Sequence, residues 1–135
     1  MPQPTRVGLI GCGFFAQNHL HAWRDLAGEG AALVAVCDAD RTKAEAAAKT
    51  FGVSAVYTDA AEMLARENLG LVDIVTRMDT HRALVEMAVA RRVPIIVQKP
   101  FAPNWADCVA MVEAASKADV FLAVHENFQI GRAHV

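Results

Sequence analysis

Short apolar runs recur along the chain at residues 6–10, 33–37, 71–75, 95–97 and 120–124, with a weaker run at residues 55–57. They barely alternate with polar positions, which is the pattern of strands covered on both faces, as in a parallel sheet. Between them lie longer stretches of helical composition, predicting helices over 14–26, 41–51, 60–67, 81–92 and 105–117. In the first of these Phe15, His19, Ala22 and Leu26 share a face; in the last Val109, Val112 and Ser116 do, with Cys108 and Ala115 beside them. Gly28, Gly52 and Pro94 stand where helices should stop, and Asp59, Thr80 and Asn104 stand where N-caps should start them. Strict strand–helix alternation with short connections specifies right-handed βαβ units, hence a single α/β domain on a doubly wound parallel sheet of six strands.

Composition narrows the partners. The chain has 135 residues, 54% hydrophobic and 21% charged, enough apolar side chain for one core. Its formal net charge of −2 provides no basic excess to draw in phosphate backbones or anionic lipid, so neither nucleic acid nor a membrane surface is expected as a partner. The longest apolar stretches, residues 31–37 and 120–124, fall far short of the roughly 20 residues that span a bilayer. The opening MPQPTRVGLIG lacks the layout of a secretory signal, so a cytoplasmic location is expected. Cys12, Cys37 and Cys108 are odd in number and widely spaced among apolar neighbours, which suits reduced core thiols. His19 and His21 sit two apart on a helix and face different ways, so no metal site is expected there.

The first strand runs directly into Gly11-Cys12-Gly13-Phe14-Phe15-Ala16, a GxGxxA loop opening a helix. Gly11 permits the tight turn, Gly13 lets a pyrophosphate approach the backbone, and Ala16 lets helix and strand pack closely, with free amides at the helix start to meet the anion. Asp38 at the end of the second strand completes the spacing of a Rossmann-type dinucleotide site. A methyltransferase loop also begins with glycines, but it carries an acid at its start, where this chain has Leu9 and Ile10. A carboxylate at Asp38 can accept from both ribose hydroxyls of NAD and repels the 2′-phosphate of NADP. Arg41, just beyond it, could clamp that phosphate, so NADP stays open as the cofactor.

Two further constellations fall at strand ends, where open α/β sheets bind ligands. Lys99, within Val97-Gln98-Lys99-Pro100-Phe101, is carried toward the cofactor; Thr76 and His81 bring a hydroxyl and an imidazole to the same rim. The segments GLIGCGFFAQNH, VCDADRTKAEAAAKTFG, DIVTRMDTHRALVEMA, VQKPFAPN and VHENF together resemble the N-terminal domain of the Gfo/Idh/MocA oxidoreductases, over nearly the whole chain from Arg6 to Phe128. The family's Glu-Lys-Pro signature appears here as Gln98-Lys99-Pro100, keeping an acceptor but losing a charge, and Arg77 takes the place of a proline in the Thr-Pro…His pattern. The resemblance implies that Lys99 lies near the nicotinamide and the reacting carbon. It also implies that Thr76, His81 and Gln98 line the cofactor and that Asn127 reaches the nicotinamide side.

It further implies a larger C-terminal substrate domain, expected to be absent from these 135 residues, and homo-oligomers only for the full-length protein. Residues 1–128 are expected to be the dinucleotide-binding domain. Residues 130–135 resemble the translation of a short-read sequencing adapter, so 129–135 is expected to be a non-native tail. The expected function is the nucleotide-binding half of an NAD(P)-dependent oxidoreductase acting on a sugar, polyol or related alcohol. The alternative is a stand-alone dinucleotide-binding or sensing module.

Overall fold

The computed structural model describes residues 2–126; the expectations placed on Asn127, on the domain end at residue 128 and on the tail lie outside the described residues. Strands β1 (Thr5–Ile10), β2 (Ala31–Cys37), β3 (Ala55–Tyr57), β4 (Leu71–Ile74), β5 (Ile95–Gln98) and β6 (Leu122–His125) alternate with helices. The helices are α1 (Ala16–Asp25), α2 (Arg41–Phe51), α3 (Ala60–Arg66), α4 (His81–Ala90) and α5 (Trp105–Ala118), with a 3₁₀ turn at Met78–Thr80 ahead of α4. All pairings are parallel and the strand order is β3-β2-β1-β4-β5-β6. The expected Rossmann-type sheet is therefore present, and its order reverses between β1 and β4, leaving a crevice at their C-terminal ends.

Several expected boundaries move for local reasons. Helix α1 starts at Ala16 rather than Phe14 because residues 13–18 first wind more tightly, with the amides of Ala16, Gln17 and Asn18 donating to the carbonyls of Gly13, Phe14 and Phe15. It stops at Asp25, before Gly28, with the Leu26 amide donating back to Ala22. Helix α4 ends at Ala90, and Arg92 adopts a positive φ of 57° so that the amide of Val93 reaches Ala88. Strand β6 begins at Leu122 rather than Val120, because the Val120 amide is engaged in closing α5 on Ala115. The caps at Asp59 and Asn104 form as expected, each side chain accepting a first-turn amide, and Gly52 ends α2 in the left-handed conformation. Thr80 precedes α4 but makes no side-chain cap; its hydroxyl turns to Thr76 and to the Arg77 carbonyl instead.

Side chains alternate across the sheet and build two cores. On one face Ile10, Val72, Ile74, Ile95 and Val97 pack with Met63, Leu64, Val85 and Met111 from α3, α4 and α5. On the other, Leu9 and Val36 pack with Leu20 of α1 and Ala44, Ala47 and Ala48 of α2. Helix α5 buries Met111 and Ala115, whereas Val112 is half exposed, which corrects the expected face of that helix. The alanine-rich helix carries two overlapping apolar stripes, and contact with α4 selects the one through Met111.

Candidate functional site

A cavity of about 840 Å³ opens where the strand order reverses. Its floor is the end of β1, its walls the ends of β2 and β4, and its lining includes Gly11, Gly13, Phe15, Asp38, Lys43, Thr76 and Arg77. The volume falls within the usual range for a small-molecule or cofactor pocket.

The glycine loop has two different reasons for its glycines. Gly11 has φ +102°, and a Cβ there would stand 2.2 Å from the Val75 carbonyl oxygen, so glycine is required by the fold itself. A Cβ built on Gly13 would meet no neighbouring atom within 4 Å. Packing does not explain Gly13; its missing side chain leaves open space on the cavity wall. Gly13, Phe14 and Phe15 precede the first residue of α1, and among the described residues their amides meet no backbone acceptor. Ala16 is buried against the sheet, as expected, while Phe14 is almost fully exposed and does not line the cavity.

Asp38 is tied into this loop. Its Oδ2 accepts the Cys12 amide at 2.8 Å and its Oδ1 accepts the Asp40 amide at 2.8 Å, fixing the carboxylate at the cavity while leaving each oxygen a further lone pair. Arg41 is exposed and outside the cavity lining; Lys43, which the sequence reading missed, lines it instead. Both belong to the first turn of α2, and only the orientation of the helix decides between them.

Thr76 lines the cavity and receives the Thr80 hydroxyl at 2.6 Å. His81 does not. It is fully buried, with Nδ1 3.0 Å from the Phe101 carbonyl and Nε2 3.1 Å from the Thr76 carbonyl, so it fastens the loop after β4 to the loop after β5. Gln98 is likewise buried and turned away from the cavity, its amide meeting His19 and the Lys99 backbone. Lys99 is half-buried immediately after β5 and is not among the residues that line the cavity.

Cys12 and Cys37 are free and buried, and both thiols are pushed up to about 12, first by burial and then by the negative charge of Asp38. Neither supplies a thiolate near neutral pH. Among the described residues no helix is long and apolar enough to cross a membrane, and no group of three or more His, Cys, Asp or Glu is placed to hold a metal.

The arrangement fits a dinucleotide: open backbone at Gly13 beside helix-start amides, and an anchored carboxylate after β2. Comparison with known proteins agrees. Residues 5–126 match the family model described as "Oxidoreductase family, NAD-binding Rossmann fold". The chain is 54% identical over 121 residues to a D-apiose dehydrogenase of Paraburkholderia graminis, covering 90% of this chain and 32% of that protein. It is 33% identical over 110 residues to an inositol 2-dehydrogenase of Acidothermus cellulolyticus, covering 82% of this chain and 32% of the relative. Among solved structures, an oxidoreductase from Agrobacterium radiobacter in complex with NAD+, L-tartaric acid and magnesium superposes with a TM-score of 0.90 at 46% identity, over 94% of this chain and 36% of that one. The chain thus spans about a third of the length of the relatives it matches.

Proposed function

The chain belongs to the Gfo/Idh/MocA oxidoreductase family, and from that premise we propose that it is the NAD-binding part of a dehydrogenase acting on a sugar or polyol. The observation that carries the reading is Gly13, a glycine with no packing reason to be one, set on the cavity wall beside the helix-start amides and the anchored Asp38. When bound, a nicotinamide dinucleotide supplies the acceptor or donor of hydride. The chain's own part is to hold it. The amides of Gly13, Phe14 and Phe15 would face the pyrophosphate, Asp38 would accept from the adenosine ribose hydroxyls with its remaining lone pairs, and Thr76 on the cavity lining would border the bound dinucleotide.

Asp38 favours NAD, since a 2′-phosphate about 4 Å away would meet it at a cost of roughly 4 kcal/mol per unit charge. Lys43 rather than Arg41 is the cation that opposes this preference, because Lys43 is the one in the cavity. Lys99, at the end of β5, polarises the substrate oxygen or relays its proton in the longer protein. The substrate domain, any oligomer and the choice of sugar belong to that longer protein; the dehydrogenase names of the relatives support a carbohydrate or polyol substrate. A cytoplasmic site of action, in keeping with the free thiols, is part of the same proposal. A stand-alone nucleotide sensor gains no support from relatives bearing those names.

Titration with NADH, followed by its fluorescence, tests the reading on this chain. Gly13→Val places a branched side chain in the open space, and binding should be lost; equal affinity of variant and wild type would overturn the site.

A further inference from the structure

Across Phe15 from the dinucleotide cavity, α1 and strands β4, β5 and β6 line a smaller, open cavity of about 320 Å³. The polar groups beside it form one continuous hydrogen-bonded line. Gln98 Oε1 accepts the Lys99 amide at 2.8 Å, with a longer contact of 3.4 Å from His125 Nδ1. The amide nitrogen of Gln98 is therefore the atom that stands 3.1 Å from His19 Nε2. An amide nitrogen only donates, so His19 Nε2 accepts. The ring proton then sits on Nδ1, 2.7 Å from Asp73 Oδ2, which also accepts Trp23 Nε1–H at 2.8 Å. His19, Asp73 and Gln98 are all buried, and the contacts that join them are direct, at 2.7 and 3.1 Å.

From this geometry we infer that Asp73 and His19 are positioning residues for Lys99, acting through the side-chain amide of Gln98. Asp73 selects the Nδ1–H tautomer of His19. That tautomer leaves a bare Nε2, which fixes the direction of the Gln98 amide. A reversed amide would set its oxygen against the Nε2 lone pair and its NH₂ against the Lys99 N–H, two repulsive contacts in place of two bonds. The Lys99 backbone is thus held at the end of β5 by a line that begins inside the sheet at β4. Glutamine is the residue type this line needs at position 98, because it donates to His19 and accepts from Lys99, whereas a carboxylate only accepts. The consequence for catalysis rests on the proposed role of Lys99; the hydrogen-bonded line does not.

The experiment is ¹⁵N NMR of the chain. In long-range proton–nitrogen spectra the His19 ring should show a protonated Nδ1 and a bare Nε2. Gln98→Glu, which replaces the donor with an acceptor, should change the protonation pattern at Nε2. Gln98→Met should release the Lys99 amide to exchange roughly tenfold faster, the loss of one hydrogen bond, while NADH affinity stays within a few-fold. A wild-type ring protonated on Nε2 overturns the inference, and that spectrum decides the matter even where a variant fails to fold. So does unchanged Lys99 exchange in a natively folded Gln98→Met. Failure of the wild-type chain to bind NADH, with the ring pattern as expected, would instead overturn the dinucleotide reading and leave the positioning line standing.

Discussion

On the side of the sheet that carries α1, the two halves are made of different chemistry. Over β1 and β2, Leu9 and Val36 meet Leu20 of α1 and Ala44, Ala47 and Ala48 of α2, an apolar layer in which the small alanines let α2 lie close to the strands. Over β4, β5 and β6 the same face presents Asp73, Ile96, Gln98 and His125, and among the described elements residues of α1 meet it around a cavity. Apolar contact is non-directional and contributes mainly stability. Hydrogen bonds between buried groups are directional, and a network of them fixes orientation more than it adds stability. The first half therefore holds the fold together, and the second half holds the end of β5 in place.

The largest effect should come from breaking the apolar half. Leu20 is fully buried between α1 and the sheet, and Leu20→Ala should cost about 2–5 kcal/mol, read from the denaturation midpoint. A loss well under 1 kcal/mol would show that α1 seals nothing. The polar half should lose less. Asp73→Ala removes the acceptor of His19 and Trp23, but its Oδ1 already lacks a partner among the described residues and the adjoining cavity can admit water to the stranded donors. The expected cost is about 1–3 kcal/mol. A destabilisation larger than that of Leu20→Ala would reverse the division of labour between the two halves.

The same contrast explains what the sequence could reveal. Strand runs, the caps at Asp59 and Asn104 and the stop at Gly52 depend on neighbours a few residues away, so local pattern places them. The dinucleotide loop is equally local, and Asp38 follows from the fixed length of one βαβ unit. His81 and Gln98 were misplaced because each has one decisive partner far along the chain: Phe101 lies 20 residues from His81, and His19 lies 79 from Gln98. Nothing in a stretch such as VQKPF indicates that its glutamine turns inward to a histidine on α1. Lys43 was missed because it and Arg41 share the first turn of α2, and the helix rotation that separates them is set by Ala44, Ala47 and Ala48 packing on the sheet.

At the crevice the effects move from stability to affinity. Asp38→Ala should weaken NADH binding by roughly tenfold, about the worth of one charge-assisted hydrogen bond, and should improve NADPH relative to NADH. The loss of the Cys12 and Asp40 bonds adds loosening of the glycine loop to the effect. Lys43→Ala should act in the opposite sense on cofactor choice, lowering NADPH affinity relative to NADH, whereas Arg41→Ala should leave the ratio unchanged. A larger change from Arg41→Ala than from Lys43→Ala would mean that α2 presents its other side to the cofactor.

The smallest effect concerns the thiols that border the two regions. Cys12 and Cys37 are buried at the ends of the glycine loop and of β2, and burial together with Asp38 raises both to about 12 from the ordinary 9.0; Cys108, on α5, is only half-buried. The thiolate is the reactive form, so at pH 8 a maleimide added to the native chain should label Cys108 well before the other two, and mass spectrometry of the peptides gives the order. The same shift has a sign for stability. Below pH 9 both states keep these thiols protonated and the contribution is constant. As pH rises from 9 toward 12 the unfolded chain ionises them and the folded chain does not, so the native state loses ground across that window. Cys12→Ser tests the assignment: it removes one ionising group, so the fall in denaturation midpoint between pH 9 and 11 should become shallower. An identical slope in wild type and variant would mean that Cys12 ionises in the folded chain as easily as in the unfolded one, and that the start of the glycine loop is open to water.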